Sequence, residues 1–176
     1  MADAKFSGTS FAGLVRLDQR LAATASALPA APAMLALLRL VSRFGDWGLS
    51  MTAGVLLALT SGPAAAGRFA AVSLAALAVQ KALKAGVARV RPCLVEGGPP
   101  QLAPIPDAGS FPSGHTLHAV LAAVVLAAAL PLLAVVFAPL AGLIALSRVA
   151  LGVHYPSDVA AGGALGAAFG ALVLMV

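Results

Sequence analysis

Three short groups of residues in this chain combine the residue types and spacing that displacement at a phosphorus atom requires. They are Lys84 with Arg91-Pro92, then Pro112-Ser113-Gly114-His115, and then Ser147-Arg148 with His154 and Asp158. Such a reaction needs cations that neutralise phosphate oxygens, a nucleophile, and an acid for the leaving group. The three groups together supply all of these functions.

The two histidines are the candidate reactive groups. His154 and Asp158 are four residues apart near the start of an apolar run. A carboxylate can fix the tautomer of a histidine, which leaves the other ring nitrogen free to attack. His115 follows Ser113-Gly114 at the start of another apolar run, where the free N–H groups of a helix N-terminus can bind phosphate. Arg148 offers a planar fork of donors that suits phosphate.

Each group also has an ordinary structural explanation when it is taken alone. Lys84 and Arg91 could be charges that reach from the mouth of a membrane span to the interface. Residues 112–115 could be a helix cap with an interfacial histidine. His154 and Asp158 could be a structural pair.

The composition indicates a membrane protein. Of the 176 residues, 61% are hydrophobic and only 10% are charged, with a mean hydropathy of +1.00. A soluble domain has about a quarter of its residues charged, so lipid must solvate much of this chain. The formal net charge of +5 comes from scattered residues, which is typical of charges that flank a membrane and excludes a nucleic-acid surface. The single Cys93 excludes an internal disulfide.

The apolar runs predict an all-α fold, a polytopic helix bundle with five transmembrane helices. These runs are residues 47–62, 68–88, 113–130, 132–148 and 157–176, with a polar loop at 93–111. Residues 10–28 have the pattern of an amphipathic helix at the membrane surface, and residues 33–44 that of a second short helix. The prediction is therefore an N-terminal interfacial segment at 1–44 and a transmembrane domain at 45–176, with a sixth span in the first segment left open.

Following the predicted spans brings the three groups to one face of the membrane. The second and fourth spans end at Arg91 and Arg148, and the third and fifth begin at Ser113 and Asp158. The opposite face has little more than Arg68. Because ionisable residues beside spans are costly, this concentration favours a functional site over chance.

At this point the sequence resembles the type-2 phosphatidic acid phosphatase family, whose superfamily includes vanadium haloperoxidases. The family pattern is Lys, six residues, Arg-Pro; Pro-Ser-Gly-His; and Ser-Arg, five residues, His, three residues, Asp. All three parts match in order and spacing, and the resemblance covers roughly residues 45–176. One departure is Cys93-Leu94, where many members continue with a second Arg-Pro pair.

The resemblance implies a metal-independent lipid phosphate phosphatase that uses no cofactor. His154 would be the nucleophile, Asp158 would orient it, and His115 would protonate the leaving oxygen and then activate water. The phosphate would be held by Lys84, Arg91, Ser113, Gly114 and Arg148. The substrate would be undecaprenyl diphosphate, phosphatidylglycerophosphate, phosphatidate or a similar lipid.

Three other functions remain open from the sequence. The same phosphohistidine could transfer phosphate to a second lipid, the pocket could hold vanadate as in a haloperoxidase, or the chain could be a scaffold or transporter. His118 lies three residues after His115 and suits an interfacial histidine, a partner of the site, or half of a zinc site with His154 and Asp158. The loop residues Glu96 and Asp107 are interpreted as solvated.

The resemblance also predicts where the protein acts and with what. It implies a bacterial inner membrane protein whose site faces the periplasm, with a lipid phosphate and membrane lipids as its partners. The sequence predicts no nucleic-acid partner and leaves the oligomeric state undetermined.

Overall fold

The chain is a bundle of helices in a computed structural model, which describes residues 9–29 and 31–176. The seven α-helices described are α1 Thr9–Ala27, α2 Pro32–Arg43, α3 Leu49–Ser61, α4 Pro63–Val87, α5 Gly114–Ala129, α6 Ala134–Ala150 and α7 Pro156–Met175. A π-helical turn, Phe44–Gly48, joins α2 to α3. Across these described ranges there is no β-strand, only an isolated bridge between Val90 and Gly109. The predicted all-α fold is confirmed.

Several helices meet the length and hydropathy of a membrane span. Pro63–Val87, Pro131–Ala150 and Pro156–Met175 do so alone, and the bent pair Gly13–Ala27 with Pro32–Ser61 would make a fourth. Helix Gly114–Ala129 is apolar but shorter. An integral membrane protein is thereby supported, while the number of five spans stays a prediction. Residues 1–8 and 30 of the predicted N-terminal segment lie outside the described residues.

Helix α5 forms the centre of the bundle. It packs most extensively against α7 and also against α6 and α3, and Leu117, Leu121 and Leu126 have no exposed surface. Ser113 is its N-cap, since Ser113 Oγ accepts a hydrogen bond from the main-chain nitrogen of Thr116. A side chain that accepts from the first helical turn fixes where a helix begins. The polar N-terminus of α5 therefore lies at a defined end of an otherwise apolar core.

A glycine stripe brings α7 close to α5. Gly162, Gly166 and Gly170 are buried on one face of α7. A Cβ at Gly162 would lie 2.5 Å from the carbonyl oxygen of Ser113, and one at Gly166 would clash with the carbonyl oxygen of Leu117. Small residues let two membrane helices approach at backbone distance. The stripe therefore holds the start of α7 beside the start of α5, where the predicted site residues lie.

Gly166→Ala is expected to destabilise the fold by about 1–3 kcal/mol, because the added methyl group would force α7 away from the α5 backbone. The control is Gly163→Ala in the same helix, where a Cβ would meet its nearest neighbour, Thr116 Cγ2, at an ordinary 3.9 Å. Thermal unfolding in detergent should show a lower midpoint for the first variant only. Equal midpoints for the two variants would contradict this account of the stripe.

The helices before residue 44 pack on the rest of the bundle. Helix α1 contacts α6 and α7, and α2 contacts α6. In α1, Asp18 and Ala22 face the protein while Leu14, Leu17 and Leu21 are exposed. Apolar side chains exposed along one face of a helix suit contact with lipid. The location of this segment at the membrane surface and its boundary at residue 44 stay predictions.

Candidate active site

Most of the predicted site residues meet in one cavity at the end of the bundle where α5 and α7 begin. The cavity has a volume of about 810 Å³. Six of the eight predicted residues line it: Lys84, Arg91, Gly114, His115, Arg148 and His154. Asp158 and Ser113 do not line it and have no exposed surface. The structure therefore brings the three sequence groups together and buries two of their members behind the residues that line the cavity.

The loop between α6 and α7 fixes His154. Main-chain nitrogens of Val153 and His154 both donate to the carbonyl oxygen of Arg148 at 3.2 Å. Gly152 makes the turn with a φ of 73°, a conformation that glycine adopts without strain. Helix α7 then begins at Pro156, a favoured residue for the first helical position. These local features hold His154, which is 2% exposed, at the cavity wall.

The contacts of His154 assign its tautomer. Nε2 lies 3.1 Å from Nη1 of Arg91, and because a guanidinium can only donate, Nε2 must carry the lone pair. Nδ1 then carries the proton and lies 3.4 Å from Oδ2 of Asp158. That distance is long for a hydrogen bond, and catalytic contacts of this kind tighten when substrate binds. Nε2 is therefore the nitrogen with the lone pair, which in this structure accepts the hydrogen bond from Arg91.

A chain of polar contacts holds Asp158 from behind. Its Oδ2 accepts from the main-chain nitrogen of Tyr155 at 2.9 Å, and its Oδ1 accepts from Arg89 at 2.8 Å. Arg89 stacks on the Tyr155 ring and also donates to Asp18 of α1 at 2.6 Å. Asp18 in turn accepts from the nitrogen of Ser157 at 3.0 Å. Arg89 and Asp18 thus fix the carboxylate that faces His154.

Arg148 has donors that no described residue uses. It is 2% exposed, and its Nη1 donates to Ser42 Oγ. Its Nε and Nη2 are buried without a hydrogen-bond partner in the described part of the chain. An unsatisfied buried charged donor is costly, and a guanidinium edge with two free donors matches two oxygens of a phosphate. Arg148 is therefore suited to bind an anion in the cavity.

Asp107 links the other two cations. Lys84 Nζ lies 3.1 Å from both Asp107 oxygens, and Arg91 donates to Asp107 Oδ1 at 3.3 Å. Burial alone would raise the pKa of Asp107, but the hydrogen bonds and charges of Lys84 and Arg91 outweigh it and hold the pKa below its usual value. The prediction of a simply solvated Asp107 was wrong, because the side chain, although 45% exposed, is ion-paired at the cavity.

His115 has a carboxylate partner outside the three sequence groups. Its Nε2 lies 2.5 Å from Oδ1 of Asp46, in the π-helical turn. His118 also lines the cavity. Within residues 9–29 and 31–176, no three His, Cys, Asp or Glu side chains converge as metal ligands would.

Nuclear magnetic resonance should show that His154 is neutral well below pH 6. Burial lowers the pKa of His154 to about 4, against the opposing effect of the contact with Asp158. The ring therefore keeps its lone pair until the pH falls through that value, and then loses it on protonation. The chain has only three histidines, so nitrogen-labelled histidine resonances can be assigned with a His154→Gln variant. A midpoint near the ordinary histidine value would contradict this prediction.

Comparison with known proteins identifies the family of this chain. Residues 65–176 match the model of the PAP2 superfamily, the family that the three sequence groups resemble. The chain belongs to the PAP2 superfamily. The matched region contains every residue of the three groups, whereas Asp18, Ser42 and Asp46 lie before it.

Relatives of this PAP2 protein are phosphatases. It is 40% identical over 164 residues to a decaprenylphosphoryl-5-phosphoribose phosphatase from two strains of Mycobacterium tuberculosis, covering 86% of this chain and 85% of the relative. A crystal structure of a transmembrane PAP2-type phosphatidylglycerolphosphate phosphatase from Bacillus subtilis matches with a TM-score of 0.76 and 25% identity, over 93% of this chain and 85% of that one. The predicted enzyme class, a lipid phosphate hydrolase, is confirmed.

A second solved structure shows the same fold. Aquifex aeolicus LpxE matches with a TM-score of 0.74 and 23% identity, over 94% of each chain. Both structural matches extend over more than nine-tenths of the PAP2 protein. The fold likeness therefore includes helices that precede the region of the family model.

Proposed function

We propose that this PAP2 protein hydrolyses the terminal phosphate monoester of a membrane lipid through a phosphohistidine at His154. One observation carries the proposal: Nε2 of His154, with its lone pair, lines the same cavity as the guanidinium of Arg148, whose Nε and Nη2 have no partner among the described residues. A phosphate bound by Arg148 would meet a nucleophile that is already deprotonated. Lys84 and Arg91 would add positive charge to the same cavity.

The first step transfers the phosphoryl group to the protein. Nε2 of His154 forms a bond to phosphorus while the bond between phosphorus and the leaving oxygen breaks. His115 gives its proton to that oxygen, which departs as an alcohol. Asp158 offsets the positive charge that develops on the His154 ring. Cations around the phosphate stabilise the negative charge of the transition state.

The second step regenerates the enzyme. Water attacks phosphorus and gives a proton to His115, which now acts as the base, while the bond between phosphorus and Nε2 breaks. Inorganic phosphate leaves, and His115 is protonated again for the next cycle. One group can act first as acid and then as base, because the proton that it gives up in the first step is replaced in the second step.

The shape of the cavity indicates an amphiphilic substrate. From the polar end the cavity continues between α3 and α4, where its walls are small or apolar. These residues include Gly54, Ala58, Ala66, Phe69, Ala70 and Leu77. A site with ionic groups at one end and an apolar groove at the other suits a phosphate attached to a long hydrocarbon tail. We therefore place the lipid tail between α3 and α4.

The relative from Mycobacterium tuberculosis suggests the substrate class. That protein is named for decaprenylphosphoryl-5-phosphoribose, and it shares 40% of its residues with this chain over most of both lengths. We propose a polyprenylphosphoryl sugar phosphate as the preferred substrate, with the sugar hydroxyl as the leaving group. Diacyl lipid phosphates and undecaprenyl diphosphate are the competing substrates.

Purified protein in detergent with EDTA tests the proposal. We expect phosphate release from decaprenylphosphoryl-5-phosphoribose to be faster than from phosphatidylglycerophosphate or undecaprenyl diphosphate. Ribose 5-phosphate, which has the same leaving group without the tail, is the matched control and should react slowly. Faster release from the diacyl lipid would overturn the substrate class. Labelled phosphate recovered on an added acceptor lipid, and not as inorganic phosphate, would indicate a phosphotransferase.

We also propose that the cavity opens on the periplasmic side of a bacterial inner membrane. A Cys93→Ser, Glu96→Cys variant places the single thiol in the exposed loop beside the site. In intact spheroplasts a membrane-impermeant maleimide should label it. Labelling only after the membrane is broken would contradict this orientation.

A further inference from the structure

We propose that Asp46 is a positioning residue that orients His115 and favours its protonated form while it acts as the leaving-group acid. The inference rests on the proposed function, because it concerns the proton that His115 gives to the leaving oxygen. Asp46 lies before the region that matches the PAP2 model, and the three sequence groups do not include it.

The geometry joins the two side chains directly. Asp46 Oδ1 lies 2.5 Å from Nε2 of His115, and the Asp46 side chain is 52% exposed whereas that of His115 is 18% exposed. Both residues line the cavity that contains His154. A short contact between a carboxylate and an imidazole is stronger when the imidazole is in its positively charged, doubly protonated form. Asp46 thus faces the cavity and can hold the ring in one orientation.

The backbone around Asp46 is shaped for this contact. The π-helical turn Phe44–Gly48 interrupts the helices on either side of it, and such turns are frequent at functional sites. Gly45 brings the turn close to α5 and α6, since a Cβ there would lie 2.6 Å from Ile144 Cγ2 and 3.1 Å from His115 Cδ2. A larger residue at position 45 would therefore push Asp46 away from His115.

The charges around His115 show why a carboxylate is needed. The cations that share the cavity with it are Lys84 of α4, Arg91 of the following loop and Arg148 of α6. Their charges oppose a further proton on His115. The other nearby carboxylates already have partners: Asp107 pairs with Lys84 and Arg91, and Asp158 with Arg89 and His154. Of these three carboxylates, Asp46 is the one that lies within ion-pair distance of His115.

Asp46 could act instead through Arg148, because the two are close enough for their charges to interact. The dependence of the reaction rate on the leaving group distinguishes a role of Asp46 through His115 from a role through Arg148. A lipid alkyl phosphate releases a strongly basic alkoxide that needs a proton, whereas a nitrophenyl phosphate releases a weakly basic phenolate that does not. A defect in the acid therefore lowers kcat/KM, which reports the first step, for the alkyl substrate alone, but a defect in phosphate binding lowers kcat/KM for both substrates.

The test compares Asp46→Asn with wild type on decaprenylphosphoryl-5-phosphoribose, which is an alkyl phosphate, and on an amphiphilic nitrophenyl phosphate in detergent. We expect kcat/KM for the alkyl phosphate to fall about tenfold, kcat/KM for the aryl phosphate to be unchanged, and Asp46→Glu to restore part of the alkyl value. Glu96→Gln, which removes an exposed carboxylate from the loop, should behave as wild type. Equal losses on both substrates, or no loss on either, would overturn the proposal. If wild type itself releases no phosphate from either substrate, the proposed function fails first, and that result is distinct from a change in the ratio of the two rates.

Discussion

His154→Ala should lower the rate of lipid phosphate hydrolysis by roughly a thousandfold or more, because the variant lacks the nitrogen that forms the bond to phosphorus. In the structure, Nε2 of this histidine carries the lone pair and faces Arg91, while Nδ1 faces Asp158. Without the ring, Asp158 has no group to orient. The measurement is inorganic phosphate release from the lipid substrate at saturating concentration, with EDTA present.

Two controls make the His154→Ala result interpretable. The thermal unfolding midpoint of the variant reports whether the fold survives the loss of a buried ring. Added imidazole can occupy the space and should restore part of the activity, since it supplies the missing nitrogen. A folded variant that hydrolyses lipid phosphate at the wild-type rate would contradict the histidine mechanism and favour a non-catalytic role for the site.

Arg148→Lys should lower kcat/KM by about a hundredfold to a thousandfold, because a lysine keeps the charge but lacks the planar pair of donors. Arg148 is buried, and its Nε and Nη2 have no partner within the described ranges. We expect these donors to bind phosphate oxygens whose charge increases in the transition state. Vanadate or inorganic phosphate should also inhibit the variant less strongly than wild type.

Arg68→Lys is the matched control for Arg148→Lys. Arg68 lies in α4 near the other end of the bundle, beside Val125 and Val173, so the same substitution there should leave kcat/KM unchanged. A wild-type kcat/KM for Arg148→Lys would show that positive charge alone suffices and would contradict the role of the guanidinium fork.

The sequence predicted the helical bundle, and it picked out six residues that the structure brings to one cavity, because both depend on short spacings. Apolar runs of membrane length identify helices by composition alone, and the helix ends at Arg148, His154 and Asp158 follow from residues close in sequence. One boundary was wrong: α4 begins at Pro63 and not at residue 68. Proline is favoured at the first helical position, so Gly62-Pro63 ends one helix and also starts the next.

The sequence did not predict the supporting carboxylates, because their partners are distant along the chain. Asp18 reaches Arg89 and Ser157 across 71 and 139 residues. Asp46 meets His115 only because the turn at Gly45 packs against α5 and α6. No local pattern encodes such contacts, and a lone aspartate beside an apolar run also fits an ordinary helix terminus. The segment Gly45-Asp46 is visible in the sequence, but only the packing of Gly45 against α5 and α6 shows that Asp46 meets His115.

Trapping the covalent intermediate tests the central claim most directly. A His115→Ala variant, which lacks the base for the second step, is mixed with an amphiphilic nitrophenyl phosphate labelled in its phosphate, whose weakly basic leaving group needs no acid in the first step. The reaction is then quenched in alkali, where phosphohistidine is stable. Label is expected on the protein, mapped by mass spectrometry to His154, and it should be absent from a His115→Ala variant that also carries His154→Ala. Label on any other residue, or phosphate release with no labelled protein at any time in either wild type or the variant, would contradict a phosphohistidine at His154.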